Sequence, residues 1–252
     1  MIELRGIGKS FERRGVERVQ ALSGVSLTLK RGELLAIIGT SGSGKSTLMN
    51  IMGLLDRPTE GQYLIDGQDV TRLSVDEEAR WRNQRFGFVF QAFRLLPRAT
   101  AEENVELPLL YSDRQEINGL ARAALEAVGL AERVRHRPTE MSGGQQQRVA
   151  VARALVNAPD VILADEPTGN LDARSALEVM ALFQKLHREG RTIVIVTHDP
   201  QIAAHCSRVA RIERGRIVAD EPVPAPKDAA EELARLPVPA PASATRTVQE
   251  NA

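Results

Sequence analysis

The chain has 252 residues, of which 42% are hydrophobic and 26% charged, a composition typical of a soluble globular protein with room for one large core. Its 33 basic and 33 acidic residues give a formal net charge of zero, so the overall charge does not favour a nucleic-acid partner. The single cysteine, Cys206, excludes a disulfide within the chain.

Membrane-spanning and leader segments are not apparent in the sequence. The first residues hold no apolar core of the length that signal peptides have. The longest apolar runs, such as residues 34–38, are far shorter than the roughly 20 residues that a helix needs to cross a bilayer. We therefore expect a soluble, cytoplasmic protein that meets a membrane only through a partner.

The first part of the chain predicts strands. Residues 25–29 alternate apolar and polar side chains, as a half-buried strand does. Residues 34–38 form a continuous apolar run that stops at Gly39, which is typical of a strand buried on both faces. Residues 62–65 lead into Asp66-Gly67 and predict a strand that enters a tight turn. We expect a small antiparallel layer beside a central sheet.

The middle of the chain, from about residue 92 to 157, predicts a helical insertion. Thr100 and Glu103 form the T-x-x-E pattern of a capping box ahead of an apolar run. Apolar residues recur at helical spacing between Ile117 and Val128, which predicts an amphipathic helix.

The last third of the chain alternates strands and helices. Residues 161–164 and 192–196 predict buried strands, and an amphipathic helix between them indicates a parallel sheet with right-handed crossovers. Residues 209–218 predict a closing hairpin. The chain then becomes rich in proline and alanine, so we expect one domain over residues 1–220 and a mostly disordered tail over 221–252, with a short helix near 229–236.

The segment from Gly39 to Ser46 matches the G-x-x-x-x-G-K-S pattern of a phosphate-binding loop. Its glycines allow backbone N–H groups to converge on phosphate oxygens at the start of a helix. We expect Lys45 to reach the β- and γ-phosphates of ATP and Ser46 to ligate Mg²⁺. A glycine-rich turn without a ligand is the alternative, but the buried strand before it and the helix after it favour a nucleotide site.

Two carboxylates follow the buried strand at 161–164. Asp165 at the tip of this strand could hold Mg²⁺ through water, and Glu166 could accept a proton from the attacking water. A run that ends in Asp-Glu is weak evidence alone, since both residues could simply begin a loop. The phosphate-binding loop in the same sheet favours the catalytic interpretation.

Other polar residues have open interpretations when taken alone. Ser142 and Gln145 form a helix-capping box, but the two glycines between them also allow close approach to an anion. Gln91 and His198 each follow a predicted strand, where open α/β sheets place ligands, but each could be an ordinary polar residue. The remaining histidines lack metal-ligand spacing and are expected on solvated surfaces, and no role is expected for the cysteine; these residues are His136, His187, His205 and Cys206.

Taken in order, these segments resemble the ATP-binding cassette (ABC) ATPases over residues 1 to about 220. The resemblance covers Walker A at 39–47, the Q-loop at Gln91, the signature at 141–145, Walker B at 161–165, the D-loop at 169–172 and the switch His198. It implies the ABC ATPase fold, an α/β P-loop NTPase core with a parallel sheet, an N-terminal antiparallel β subdomain and a helical insertion.

The resemblance also implies roles for individual residues. Catalysis would involve Glu166, His198, Gln91 and Lys45, and the Mg²⁺ ligands would be Ser46, Gln91 and Asp165. Phe11 would stack on adenine where the family commonly has tyrosine, and Met141 replaces the usual leading leucine of the signature. The implied nucleotide contacts are Phe11, Gly39, Thr40, Ser41, Gly42, Ser43, Gly44, Lys45, Ser46, Thr47, Gln91, Ser142, Gly143, Gly144, Gln145 and Asp165.

In this family two cassettes pair head to tail, and each signature segment completes the ATP site of the other subunit. The resemblance therefore implies a homodimer in which Asp172 helps to couple the two sites. It also implies a location on the cytoplasmic face of the cell membrane.

The finer pattern is similar to one branch of the family. Segments such as GFVFQ at 87–91, ENVELPLLY at 103–111 and SGGQQQRVAVARAL at 142–155 resemble the ATPases of macrolide-export and lipoprotein-release systems. This implies an integral-membrane permease subunit as partner, and through it a periplasmic adaptor or an outer-membrane protein. The sequence names no cargo.

Three rivals share some of these motifs. DNA-repair and chromosome ATPases carry a long coiled coil between Walker A and the signature, and no sustained heptads occur here. Translation factors of this type carry two cassettes. A cell-division ATPase, whose permease regulates cell-wall hydrolases without transport, is the alternative that stays open.

We expect the permease to dock on residues 91–105. Phe93, Leu95, Leu96 and Pro97 are apolar residues in a predicted loop, where exposed apolar side chains often mark an interface. The alternative is that these side chains pack the helical insertion against the core.

Overall fold

The structure is a computed structural model that describes residues 1–13 and 16–237. Within these residues the strands form a four-stranded and a six-stranded sheet. The first sheet contains β1 (Ile2–Arg13), β2 (Val16–Leu29), β4 (Glu60–Ile65) and β5 (Gln68–Asp69). The second contains β3 (Leu34–Ile38), β6 (Phe86–Phe90), β7 (Val161–Asp165), β8 (Thr192–Thr197), β9 (Arg208–Glu213) and β10 (Arg216–Pro222).

The helices flank the six-stranded sheet. They are α1 (Lys45–Met52), α2 (Val75–Arg85), α3 (Ala101–Glu106), α4 (Leu120–Ala127), α5 (Gly143–Leu155), α6 (Ala173–Arg188), α7 (Pro200–Ala203) and α8 (Ala229–Arg235). Short 3₁₀ turns cover Leu107–Tyr111, Ala131–Arg133 and Pro138–Glu140. Within the residues described, no helix is both long and apolar enough to cross a membrane.

The topology explains which predicted strands are neighbours. The first sheet is antiparallel with the order β2-β1-β4-β5. The second has the order β10-β9-β3-β8-β7-β6, in which only β10 pairs antiparallel to its neighbour. The predicted fold, an antiparallel layer beside a parallel α/β core, is confirmed. The carboxyl ends of β3, β6, β7 and β8 therefore lie at one edge of the sheet, where α/β proteins place ligands.

The central strands are apolar throughout because each face meets a different core. Leu34 and Ala36 of β3 contact the core that includes α3 to α6. Leu35 and Ile37 contact the core shared with α1 and the antiparallel sheet. Alternate residues of a strand point to opposite faces, so a strand buried on both faces needs an unbroken apolar run.

The helical part is fixed by the predicted caps. Thr100 Oγ1 accepts a hydrogen bond from the Glu103 N–H (3.2 Å), and the Glu103 carboxylate accepts one from the Thr100 N–H (2.6 Å). This capping box satisfies two N–H groups that α3 itself cannot pair. At the other end of this region α5 lies against β6, where a Cβ on Gly87 would approach the Ala154 carbonyl to 2.2 Å. Only glycine permits that approach.

The described part of the tail, residues 221–237, contains a helix where the short helix was predicted. Strand β10 extends to Pro222, and α8, in the place of the predicted short helix, packs on α6 with Ala229 fully buried. Gln184 of α6 donates to the Lys227 carbonyl (2.7 Å) and accepts from the Ala229 N–H (2.9 Å). Polar contacts with Gln184 hold this segment, which is poor in large apolar side chains. Residues 238–252 lie outside the described residues.

His205 corrects an expectation, because it is buried rather than solvated. Its exposed fraction is 3%. Its Nδ1 lies 2.9 Å from the Gln201 carbonyl and its Nε2 lies 3.1 Å from a Glu232 carboxylate oxygen in α8. A hydrogen bond from Lys227, opposed by burial and aided by His205, lowers the pKa of the Glu232 carboxyl. The other predicted surface histidines, His136 and His187, are half-buried.

Removing the docked segment is expected to destabilise the protein. A chain that stops after Pro222 leaves the side-chain oxygen of Gln184 and the Nε2 of His205 without their partners, and each buried polar group left unpaired costs about 1–3 kcal/mol. We expect the melting temperature to fall by roughly 5–10 °C, measured by thermal denaturation. The matched control stops after Pro237 and should melt like the full chain. Equal melting temperatures for all three chains would show that the segment does not contribute to stability.

Candidate functional site

The loop between β3 and α1 has the geometry of a phosphate cradle. Gly42 and Gly44 have φ values of 76° and 107°, which favour glycine. A Cβ on Gly39 would lie 2.3 Å from the Ile212 carbonyl, so the loop also needs glycine where it meets β9. The ammonium group of Lys45 is held inside the loop, where it donates to the carbonyls of Gly39 (2.7 Å) and Thr40 (2.9 Å).

The start of α1 offers unpaired polar groups to an anion. Gly44 is the N-cap residue and supplies no side chain to bond the first N–H groups of the helix. The Ser43 hydroxyl is buried and has no hydrogen-bond partner among residues 1–13 and 16–237. Backbone N–H groups, the helix dipole and Lys45 together make this loop fit the phosphates of a nucleotide.

A cavity of about 450 Å³ opens over this loop. Glu166 and His198, which follow β7 and β8, also line this cavity. The structure thus brings together residues that the sequence places far apart. The loop residues that line the cavity are Ser41, Gly42, Gly44, Lys45, Ser46 and Thr47, and Ala21 of β2 joins them.

Glu166 is held by two residues at the end of β8. One carboxylate oxygen lies 2.7 Å from His198 Nδ1, and the other accepts a hydrogen bond from the Thr197 hydroxyl (3.1 Å). The Glu166 side chain is 16% exposed, and that of His198 is 68% exposed. The backbone of Glu166 has a left-handed φ of 46°, which is unusual for a residue other than glycine. A carboxylate fixed in this way at a cavity wall can act as a general base.

Asp165 lies beside the loop at the tip of β7. Burial and the neighbouring Glu166 carboxylate raise the pKa of Asp165, while Lys45, Arg94 and a hydrogen bond with the Ser46 side chain oppose that rise. A carboxylate next to a hydroxyl is the oxygen donor set that Mg²⁺ prefers. Asp165 and Ser46 therefore fit two of the three predicted Mg²⁺ ligands.

Gln91, at the end of β6, is not among the residues that line this cavity. Its amide group donates to the side-chain oxygen of Asn170 (3.3 Å), and its carbonyl accepts from the Asn170 amide (3.0 Å). Asn170 lies in the loop after Glu166, so Gln91 contacts the site through that loop.

The signature segment also lies away from this cavity, at the start of α5. Ser142 and Gln145 form the predicted capping box, with bonds of 3.0 and 3.3 Å. A Cβ on Gly144 would lie 2.9 Å from the Ser175 hydroxyl, so this glycine permits close packing of α5 on α6. Asp172 caps α6 through the N–H groups of Arg174 and Ser175.

Phe11 of β1 is 44% exposed and is likewise absent from the cavity wall. The Lys9 ammonium lies 5.0 Å from the centre of its ring. The ring therefore offers one open face for stacking. Cys206 is fully buried, and burial raises the pKa of its thiol to about 12, so it is not a reactive thiolate.

Comparison with known proteins decides the family. The model of the ABC transporter family matches residues 22–169, which include the phosphate-binding loop, the signature and Glu166. The chain belongs to the ABC transporter family. The predicted family and its ATPase class are thereby confirmed.

Several relatives are about 50% identical to this cassette over the residues that align with it. It is 51% identical over 232 residues to the macrolide export ATP-binding/permease protein MacB of Shewanella sp., covering 91% of this chain and 35% of that protein. The chain thus spans about a third of the MacB relatives that it matches. The ABC transporter ATP-binding protein YvrO of Bacillus subtilis is 52% identical, over 88% of this chain and 97% of YvrO.

Solved structures agree with the fold. A dimeric structure of MJ0796, described as a bacterial ABC transporter cassette, has a TM-score of 0.81 and 44% identity, and the match covers 89% of this chain and 100% of that one. A second dimeric structure of MJ0796, in a post-hydrolysis state bound to ADP and phosphate, has a TM-score of 0.81 and 42% identity.

The ABC cassette also carries a second, apolar cavity of about 470 Å³, which we call the apolar groove. It lies between α2, β6 and α5, and its lining includes Leu55, Phe88, Phe90, Tyr111 and Arg153. Leu55 and Tyr111 are 46% and 78% exposed, values that are high for large apolar side chains.

The loop after β6, which was expected to form a docking surface, contains both half-buried and exposed apolar side chains. Leu95 is half-buried and packs against the core that includes α5, as the alternative interpretation had it. Leu96 is 49% exposed. Replacing Leu95 would therefore disturb packing as well as any interface.

Three polar residues of the cassette site were missed by the sequence interpretation. Thr197 bonds Glu166, Asn170 bonds Gln91, and Arg153 of α5 donates to two carbonyls of the loop after Gln91. Asn170 lies within the D-loop and Thr197 directly precedes the switch His198, and these positions were the available signal. Arg153 had no such signal, because its partners are about 60 residues away in the chain.

Proposed function

We propose that this cassette binds ATP with Mg²⁺ at the loop from Gly39 to Ser46 and uses its hydrolysis to drive an integral-membrane permease of the macrolide-export or lipoprotein-release type. The observation that carries the proposal is the cavity itself. Glu166 and His198 line the same cavity as Lys45 and the helix N-terminus that would hold the phosphates. Phosphoryl transfer depends mainly on such positioning and charge stabilisation.

In the proposed reaction Glu166 accepts the proton of the attacking water. The hydrogen bonds from His198 and Thr197 hold both carboxylate oxygens and leave lone pairs directed into the cavity. Lys45 and the N–H groups of the loop stabilise the negative charge that develops on the phosphate oxygens. Ser46, Asp165 and Gln91 are the proposed Mg²⁺ ligands, and the bound ion would neutralise phosphate charge.

A homodimer completes the proposed site. Ser142, Gly143 and Gly144 do not line the cavity of their own subunit but lie at the start of α5, where Ser142 is exposed and Gly144 is buried. N–H groups at the start of a helix can receive an anion. The MJ0796 cassette, 44% identical, is dimeric. We infer a head-to-tail pair in which each signature segment contacts the nucleotide of its partner, with Gln145 beside it and Phe11 stacking on the adenine.

The proposed partner is a permease, and the location is the cytoplasmic face of the cell membrane. MacB of Shewanella and PvdT of Pseudomonas aeruginosa are each named as an ATP-binding/permease protein, and this chain matches about a third of each. YvrO, by contrast, has nearly the length of this cassette, which supports a permease on a separate chain. A periplasmic adaptor or an outer-membrane protein would join through the permease.

We propose that the apolar groove and the neighbouring residues 91–105 together bind a cytoplasmic segment of that permease. The lining of the groove is mostly apolar and includes the exposed side chains of Leu55 and Tyr111, and it adjoins the loop that begins at Gln91. We expect Tyr111→Glu to weaken co-purification with the permease at least about 10-fold, because it places a charge in an apolar contact. ATP turnover of the cassette alone should not change.

Val218→Glu is the matched control, because Val218 is 53% exposed on β10, at the far edge of the sheet from β6. It should bind the permease normally. Normal binding by Tyr111→Glu would contradict the groove as the docking surface. Recovery of a permease that regulates cell-wall hydrolases, in place of an export permease, would contradict the proposed branch.

A further inference from the structure

Arg153 forms a two-pronged contact with the loop that follows β6. One terminal nitrogen of its guanidinium donates to the Arg94 carbonyl (2.6 Å), and the other donates to the Phe93 carbonyl (2.8 Å). A planar fork that satisfies two adjacent acceptors fixes both their distance and their direction. Lysine, with a single ammonium group on a flexible stem, cannot reproduce this contact.

The two carbonyls belong to residues in an unfavourable backbone conformation. Phe93 and Arg94 have φ values of 53° and 51°, in the left-handed region that bulky side chains rarely adopt. Such residues keep this conformation only where their surroundings hold it. Arg153, anchored in α5 and half-buried, is a side chain from outside the loop that bonds to both of them.

This loop begins at Gln91, and Gln91 contacts the loop that follows Glu166. Its side chain and its carbonyl bond to Asn170. Gly169, which directly precedes Asn170, donates its N–H to the Glu166 carbonyl (3.1 Å). A continuous series of contacts therefore leads from Arg153 through the loop to the residue proposed as general base.

Arg153 also lines the apolar groove, together with Arg94. Arg94 lies over the ring of Phe90, with 4.4 Å between its guanidinium carbon and the ring centre. Neither arginine forms a salt bridge with a residue in the described ranges. The guanidinium of Arg153 is thus directed by the loop carbonyls rather than by a carboxylate.

We propose that Arg153 is a positioning residue for ATP hydrolysis, which holds the loop from Gln91 to Leu95 so that Gln91 is placed for the reaction. The inference rests on the proposed function of Gln91 in the nucleotide site. Arg153 also lines the apolar groove. A permease segment bound in the groove would therefore contact the residue that fixes the position of Gln91.

A double-mutant cycle on the full chain tests the proposal. We expect Arg153→Lys to lower kcat for ATP by about 10- to 100-fold, since small misplacements of catalytic groups have effects of that size. KM should change less than about twofold, because the phosphate-binding loop is untouched. In a Gln91→Ala background, Arg153→Lys should have no further effect on kcat.

Arg114→Lys is the matched control. Arg114 also donates to a backbone carbonyl, that of Asn157, but through a single bond that lysine can replace (3.0 Å). Its kcat and melting temperature should match those of the wild type. Thermal denaturation of Arg153→Lys should show a folded protein, so that the change in kcat reports placement and not unfolding.

Two results would overturn the proposal. One is a normal kcat in Arg153→Lys, and the other is a double mutant whose kcat falls by the product of the two single effects. Both measurements use the cassette without a permease, so a failure to find the proposed permease would leave them valid. Conversely, if Gln91→Ala had wild-type kcat, the proposed role of Gln91 would fail and Arg153 would have nothing to position.

Discussion

Replacing Glu166 with glutamine is expected to slow ATP hydrolysis about 10²- to 10⁴-fold while ATP binding persists, because removal of a general base has effects of this size. Glutamine keeps the shape of the side chain and can still meet His198 and Thr197, which bond the two carboxylate oxygens. It cannot accept the proton of the attacking water at neutral pH. The phosphate contacts of Lys45 and the loop are not altered.

The measurement is steady-state phosphate release together with ATP affinity by calorimetry. The variant should also accumulate as an ATP-bound dimer on size-exclusion chromatography, since the nucleotide that closes the dimer is no longer consumed. Glu213→Gln, at the exposed end of β9, is the control and should hydrolyse ATP normally. Near-normal turnover in Glu166→Gln would contradict the assignment of Glu166 as the general base.

Replacing Lys45 with alanine is expected to lower ATP affinity and turnover together. Its ammonium lies within the loop, held by the carbonyls of Gly39 and Thr40, and would bond the phosphates in the ground and transition states alike. A hydrogen bond to a charged group contributes about 1.5–3 kcal/mol, so affinity should fall about 10- to 100-fold. Turnover should fall further, because more negative charge develops on the phosphate oxygens.

Calorimetric titration with ATP and a turnover assay measure the two effects of Lys45→Ala. Lys30→Ala is the control, because Lys30 is exposed just after the end of β2. This substitution removes the same charge without altering the phosphate-binding loop. Unchanged affinity in Lys45→Ala would count against the nucleotide site as described. An equal loss in both variants would indicate a general effect of charge.

Much of the fold could be predicted because its signals are local. The apolar run of β3 that stops at Gly39, the capping boxes at Thr100 and Ser142, and the phosphate-binding loop are each contained in a few consecutive residues. Such segments dictate their own backbone through burial, capping and glycine geometry. The sequence by itself therefore determined the strands of the six-stranded sheet, the nucleotide loop and the family.

The partners of individual side chains depended on the tertiary structure. The bond between Glu166 and His198 joins residues 32 positions apart, and it exists because β7 and β8 are neighbours in the sheet. Sheet order is set by the packing of whole elements, which no local pattern encodes. The two-carbonyl contact of Arg153 and the placement of Gln91 beside Asn170 have the same origin.

The tail shows the same division. Its proline and alanine content predicts a weak tendency to form a core of its own. Its docking on α6 is decided by Gln184 and His205, two polar residues of the domain whose buried groups need the partners that residues 227–232 supply. A buried polar group must be paired, and only the folded chain determines which distant segment pairs it.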